Sequence, residues 1–217
     1  MDTTQFLPFV RRILAYRRSR RLRYVLSRVS LSPHMKVLDL GCGIDGRSFE
    51  DYVPSDWQIT GIDILEPEKN KTNHPNFRYV QQNARDLSRF RNQEFDLTVS
   101  IGMLEHVTEE TAYREIVAGI LRVSRQYIVV VPYRYSWIEP HYVLPFFPIY
   151  PYGMKLALVK LLNLSGQRKV LREDPAYIKR YYVWRSNAEY AAAFPGSKVY
   201  MFPTLEQIAI VKSCLHN

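Results

Sequence analysis

Residues 39–49 read "DLGCGIDGRSF", directly after the apolar run "MKVL", and they hold Gly41, Gly43 and Gly46. This is the G-x-G-x-x-G spacing of a strand-to-helix turn that receives a nucleotide-bearing cofactor. Glycines let such a turn tighten and let a ligand approach the backbone where a Cβ would clash. The spacing alone does not separate a dinucleotide from another adenosine-containing ligand. Asp39 is more informative, because it places a carboxylate at the carboxyl end of the first strand, two residues ahead of Gly41. A pyrophosphate on the turn would be repelled there, whereas a ligand carrying an ammonium and a sulfonium would be held. The alternative role for Asp39 is simply to cap the turn. Asp63, within "GIDI", ends the second strand 22 residues after Gly41 and suits the ribose hydroxyls of either kind of cofactor.

Outward from this turn, strand-like and helix-like stretches alternate. "MKVLDLG", "QITGIDI", "FRYVQQ", "FDLTVSIG" and "QYIVVVP" read as five strands. Between the last two, "TEETAYREIVAGILRVS" opens at Thr108 as a helix, with Tyr113, Ile116, Val117, Ile120 and Leu121 on one face. Such alternation predicts parallel strands covered by helices on both faces. At the C-terminus "SKVYMFPT" and "EQIAIVKS" are separated by too few residues for a parallel crossover, so they must pair antiparallel. The expected fold is therefore α/β: a Rossmann-like, doubly wound, mostly parallel seven-stranded sheet. It is closed by a C-terminal antiparallel hairpin and carries an N-terminal helical extension and an insertion after the fifth strand.

The chain has 217 residues, 47% hydrophobic and 24% charged, the balance of one globular domain. Its net charge of +9 is concentrated at the start. Residues 1–38 hold eight arginines and Lys36 against the single acid Asp2. Apolar residues recur at helical spacing at Phe6, Phe9, Val10, Ile13 and Leu14, then at Leu22, Val25, Leu26 and Val29. Three readings follow: a packing helix with a solvated basic face, a basic amphipathic helix that docks on an anionic membrane surface, or, ranked below it because serine is scarce, an arginine-rich targeting segment. Two cysteines, Cys42 and Cys214, supply neither a disulfide framework nor a four-cysteine metal site. No metal is expected, and the expected location is the cytoplasm, with peripheral membrane attachment as the variant.

Residues 132–152, "PYRYSWIEPHYVLPFFPIYPY", pack eight aromatics and five prolines into 21 positions, which suits neither a regular helix nor a central strand. The stretch reads as an ordered, aromatic-lined loop. "GMKLALVKLLNL" follows as an apolar helix too short to span a bilayer. Tyr133, Tyr135, Trp137, Tyr142, Phe146 and Phe147 either stack on an acceptor or build a second small core.

"VLDLGCGIDGRSF", "GIDI", "NARDL" and "FDLTVSIGMLEHV", in this order and spacing, resemble the class I S-adenosylmethionine-dependent methyltransferases, of the small-molecule type with a Leu-Glu-His turn. The resemblance implies one domain over 1–217, with a basic helical extension at 1–34 and an insertion at 133–186 serving as an acceptor lid. It implies S-adenosyl-L-methionine as cofactor, with Asp39, Gly41, Cys42 and Gly43 at its methionine part and Asp63 and Ile64 at its ribose. Ala84, Arg85 or Asp86 would contact the adenine, and Ile101, Gly102, Met103 and His106 would line the pocket. One departure stands in the turn: Asp45 occupies the usual third-glycine position and Gly46 comes one later.

Methyl transfer is an in-line displacement at an activated carbon, so the protein mainly aligns and desolvates the acceptor. A hydroxyl acceptor must also lose a proton, and the candidates to receive it are His106 and, within "EPH", Glu139 and His141. The expected acceptor is a small molecule, a hydroxyl on a glycan-, lipid- or isoprenoid-linked compound. A catalytically weak cofactor-binding accessory protein and an RNA methyltransferase are the alternatives. DNA is not expected as a partner, and RNA is disfavoured but kept open by the arginines.

Overall fold

The computed structural model describes residues 16, 19–43, 49–66, 72–139, 141–142, 144–163, 168–203 and 207–214. Asp45 and Gly46, and the apolar positions from Phe6 to Leu14, lie outside the described residues. In chain order the elements are helix α1 (19–26), β1 (Lys36–Leu40), β2 (Gln58–Asp63), β3 (Phe77–Gln81), β4 (Phe95–Ile101), α2 (Glu110–Val123) and β5 (Ser124–Pro132). Then come α3 (Tyr152–Leu162), α4 (Arg168–Glu173), α5 (Tyr177–Tyr181), α6 (Asn187–Ala193), β6 (Lys198–Met201) and β7 (Gln207–Lys212).

The strands form one sheet in the order β3-β2-β1-β4-β5-β7-β6. The first five run parallel, and β7 pairs antiparallel with both β5 and β6, the mixed α/β sheet expected. Central strands are buried on both faces, so they read as continuous apolar runs whose alternation sorts residues between two cores. In β5, Tyr127, Val129 and Val131 join one core with Leu38, Leu40 and the α2 side chains Ile116 and Ile120. Ile128 and Val130 join the other, with Val37, Trp57 and Ile59.

Helix α1 packs on this second core through Leu22, Val25 and Leu26, followed by Val29. Its apolar stripe is therefore occupied by the sheet, while Arg28 lies between the rings of Tyr24 and Tyr200, 4.9 Å from each centroid. The packing-helix reading describes this segment. Helix α2 begins at Glu110 rather than Thr108, with extended Glu109 at its cap position and no side-chain cap bond. The Leu-Glu-His turn takes up the preceding residues. Among the described residues no helix is long and apolar enough to cross a membrane.

The region after β5 builds a third core from Tyr142, Leu144, Phe147, Val159, Leu171, Ile178 and Tyr182. Tyr142 and Phe147 stack at 4.2 Å and are fully buried, so these two are core residues, not acceptor-facing rings. Tyr135 and Trp137 remain exposed. The main chain returns to the sheet at Ser186, whose side chain and that of Glu189 form a capping box at the start of α6.

Gly61 tests how tightly β2 is seated: a Cβ there would lie 2.6 Å from the Phe77 ring and 2.9 Å from Cys42 Sγ. Gly61→Val is expected to lower stability by about 1–3 kcal/mol in urea unfolding. In a Phe77→Ala background the cost should shrink, because the clashing ring is gone.

Candidate active site

In this strand order the chain winds one way from β1 to β2 and the other way to β4, leaving a crevice at the carboxyl ends of β1 and β4. Two turns meet there. The first follows β1: Gly41 and Gly43 adopt φ of +77° and +72°, a left-handed conformation that costs glycine little. The N–H groups of Gly41 and Cys42 donate to Ile62 O at 2.8 and 3.2 Å, tying the turn to β2. The second follows β4: Gly102 has φ +71° and leads into the single helical turn Leu104–His106. Leu104 and Glu105 are buried there while His106 points outward.

Between the turns lies a cavity of about 210 Å³. Gly41, Ile62, Asp63, Ile64, Ala84, Met103 and His106 line it, together with Gln82, Asn83, Val107 and Ile116. Asp63 binds the turn itself, accepting from Gly43 N–H at 3.0 Å and Leu65 N–H at 3.1 Å. Each carboxylate oxygen retains a lone pair for a ribose hydroxyl.

Other expected residues lie elsewhere. Asp39 is fully buried beneath the turn rather than lining the cavity. Burial, with Asp39, Asp63 and Glu50 nearby, pushes the Cys42 thiol far above its usual range, so it stays protonated. Arg85 turns away to pair with Glu115 and Glu109 at 2.7 and 3.1 Å. Asp86 accepts from Ser88 N–H at 2.9 Å. Of the three adenine candidates only Ala84 lines the cavity, joined by Gln82 and Asn83, which sequence reasoning passed over although they directly precede it. Ile101, Gly102 and Gly43 support the walls without being among the lining residues.

A polar cluster adjoins the cavity. The rings of His106 and His141 lie 5.5 Å apart, edge to face, and Tyr182 packs on both at 5.0 and 4.6 Å. Glu139 is fully buried. It accepts from the backbone N–H of His141 and Tyr142 at 2.7 and 2.8 Å and from His141 Nδ1 at 2.7 Å. An ionised carboxylate only accepts, so Nδ1 carries the proton and Nε2 is left as the other ring nitrogen. Burial alone would lower the His141 pKa, but Glu139 more than offsets it and the pKa is raised. Burial pushes the Glu105 carboxyl up to about 7, with Glu139 adding to the rise and His141 opposing it. Val183 N–H donates to Glu105 O at 2.8 Å, pinning the end of the inserted region onto this turn. Thus His106, Glu139 and His141, far apart in sequence, come together, while the contribution of Tyr182 had no sequence signal.

Residues 38–126 match the family model described as a methyltransferase domain. The cyclopropane-fatty-acyl-phospholipid synthase of Escherichia coli (strain K12) is 31% identical over 93 residues, 40% of this chain and 23% of that protein. The ubiquinone biosynthesis O-methyltransferase of Yersinia pestis (strain Pestoides F) is 33% identical over 95 residues, 41% of this chain and 39% of that protein. The matched stretch thus spans well under half the length of these curated relatives. The fold is similar to the crystal structure of the Burkholderia thailandensis 1,6-didemethyltoxoflavin-N1-methyltransferase with bound 1,6-didemethyltoxoflavin and S-adenosylhomocysteine, at TM-score 0.53 and 17% identity over 89% of this chain and 75% of that one. The glycine turn, the acid ending β2 and the Leu-Glu-His turn all fall within the stretch that is similar to a methyltransferase domain.

A Cβ on Gly41 would lie 2.6 Å from Met103 Cγ, on a backbone already at positive φ. Gly41→Ala should weaken S-adenosylhomocysteine binding at least about tenfold, some 1.4 kcal/mol, in calorimetric titration. Circular dichroism should report an unchanged fold.

Proposed function

We propose that this chain transfers the methyl group of S-adenosylmethionine to a hydroxyl of a small amphipathic acceptor. The observation carrying this reading is that His106 both lines the cofactor cavity and touches His141, whose orientation is set by buried Glu139. In this reading the acceptor meets these imidazoles beside the cavity that holds the methyl donor. In the displacement the acceptor oxygen forms a bond to the methyl carbon as the carbon–sulfur bond breaks, and the hydroxyl proton leaves at the His106–His141 pair. Glu139 holds His141 in one tautomer and ring orientation. The His141 lesion has a defined expectation: His141→Ala should lower kcat by roughly 10²–10⁴-fold and leave S-adenosylhomocysteine affinity nearly unchanged, as read by steady-state kinetics and calorimetry.

The acceptor class rests on the region after β5. Trp137, Ile138, Phe146, Ile149, Met154 and Leu161 are exposed there, so both the surroundings of the polar cluster and the outer surface favour an apolar body attached to a polar head. Curated relatives named for ubiquinone biosynthesis and for fatty-acyl phospholipid point the same way. Transfer of labelled methyl from cofactor into a lipid extract is the expected outcome. Label found only in RNA, or no cofactor-dependent thermal shift with S-adenosylhomocysteine, would overturn the reading.

An anionic membrane surface is the proposed partner. Because the apolar face of α1 is engaged by the sheet, attachment falls to the basic face and to the exposed side chains of the inserted region. Co-sedimentation with anionic vesicles should decrease on adding salt and decrease further in Trp137→Glu and Leu161→Glu. Equal binding to neutral vesicles would remove the electrostatic part.

A further inference from the structure

Three side chains beside the cavity that His106 lines have the composition of a metal site. Glu105, His106 and His141 each offer one ligating atom, and these atoms all lie within 4.8 Å of one another. Two imidazoles and one carboxylate, leaving positions open, suit a first-row divalent cation such as zinc, manganese or cobalt better than magnesium or calcium, which prefer oxygen ligands.

Two independent observations point to a ligand here. First, Glu105 is 1% exposed and its Oε2 has no hydrogen-bond partner among the described residues. A buried carboxylate oxygen left without a partner is costly, and a cation would satisfy it. Second, His141 carries the outer arrangement typical of a metal-bound histidine. Its Nδ1–H donates to a carboxylate, Glu139, which is itself fixed by two backbone N–H groups. That arrangement aims Nε2 and raises its basicity as a ligand.

We propose that Glu105, His106 and His141 bind a divalent first-row metal ion, with Glu139 as the positioning residue for His141, and that the open positions of the ion take the acceptor oxygen. The inference rests on the reading that the acceptor meets this cluster, and it names what the imidazoles act through. In this inference the imidazoles act through the ion in place of taking the proton directly: bound to the ion, a hydroxyl is more acidic and loses its proton to water beside the cluster. Held by these three residues, the ion would lie beside the cavity that His106 lines and would supply a Lewis acid for the acceptor oxygen.

The test uses the untagged full chain, stripped with a chelator and titrated with cobalt(II) chloride alone. One equivalent should bind saturably, with visible d–d absorption bands that zinc chloride abolishes by displacement. Glu105→Gln and His106→Gln should each weaken cobalt binding at least about tenfold, and Glu139→Gln roughly 10–100-fold. Circular dichroism and thermal unfolding, measured on the same samples, establish that each variant is folded. His106 is exposed, so its variant carries the test if Glu105→Gln fails to fold. No saturable cobalt binding by the wild-type chain, or binding unchanged in His106→Gln, overturns the proposal. Full methyl transfer by the stripped chain in the presence of chelator overturns the metal while leaving the methyltransferase reading intact. Cobalt binding without any methyl transfer does the reverse.

Discussion

Met103 rests against the bare Cα of Gly41, at a distance where a Cβ could not be accommodated. This contact joins the turn after β1 to the turn after β4, the two strands between which the winding of the sheet reverses. Three neighbouring features depend on it. Gly41 and Cys42 are held against Ile62 O, Asp63 reaches Gly43 N–H, and His106 is delivered to the cavity wall. A larger residue at 41 would separate the turns and open the floor of the cavity between them, although the apolar strands beneath would still pair.

The polar cluster follows from a second constraint. Glu105 lies on a tight helical turn that must bury Leu104 under it, so the acid next to it is carried into the interior. The region after β5 then closes over this turn, with Val183 N–H on Glu105 O and Tyr182 on both imidazoles. That region has its own core, built on the Tyr142–Phe147 stack. A separately packed unit can hold His141 in a defined place while its outer side chains stay exposed. Rigidity at the inner end and apolar exposure at the outer end would suit the amphipathic acceptor proposed above.

Much of the site was legible because its signals are local. Glycines that must take positive φ, an acid at the end of β2 and a Leu-Glu-His turn after β4 are written in runs of a few residues. Reading the aromatic stretch was harder, because composition cannot tell a stacking surface from a core. Tyr142 and Phe147 went inside while Trp137 stayed out, a choice set by how α3, α4 and α5 fold back over the loop. Arg85 and Asp86 illustrate the same limit. They directly follow the cavity-lining Ala84, but ion pairs with Glu109 and Glu115 and a bond to Ser88 N–H draw both side chains away from the cavity.

By itself, the amino-acid order determined the strand succession, the antiparallel closing pair, the glycine turn and the resemblance from which the cofactor is proposed, since each depends on residues close together in the chain. Tertiary structure decided which side chains share a space. Glu105 and His106 are some 35 positions from His141, and no spacing rule links a turn after β4 to a loop after β5. They meet because the parallel β4–β5 pairing sets the carboxyl ends of both strands side by side. Backbone pairing, blind to the chemistry it carries, brought the acid and the two imidazoles to one point.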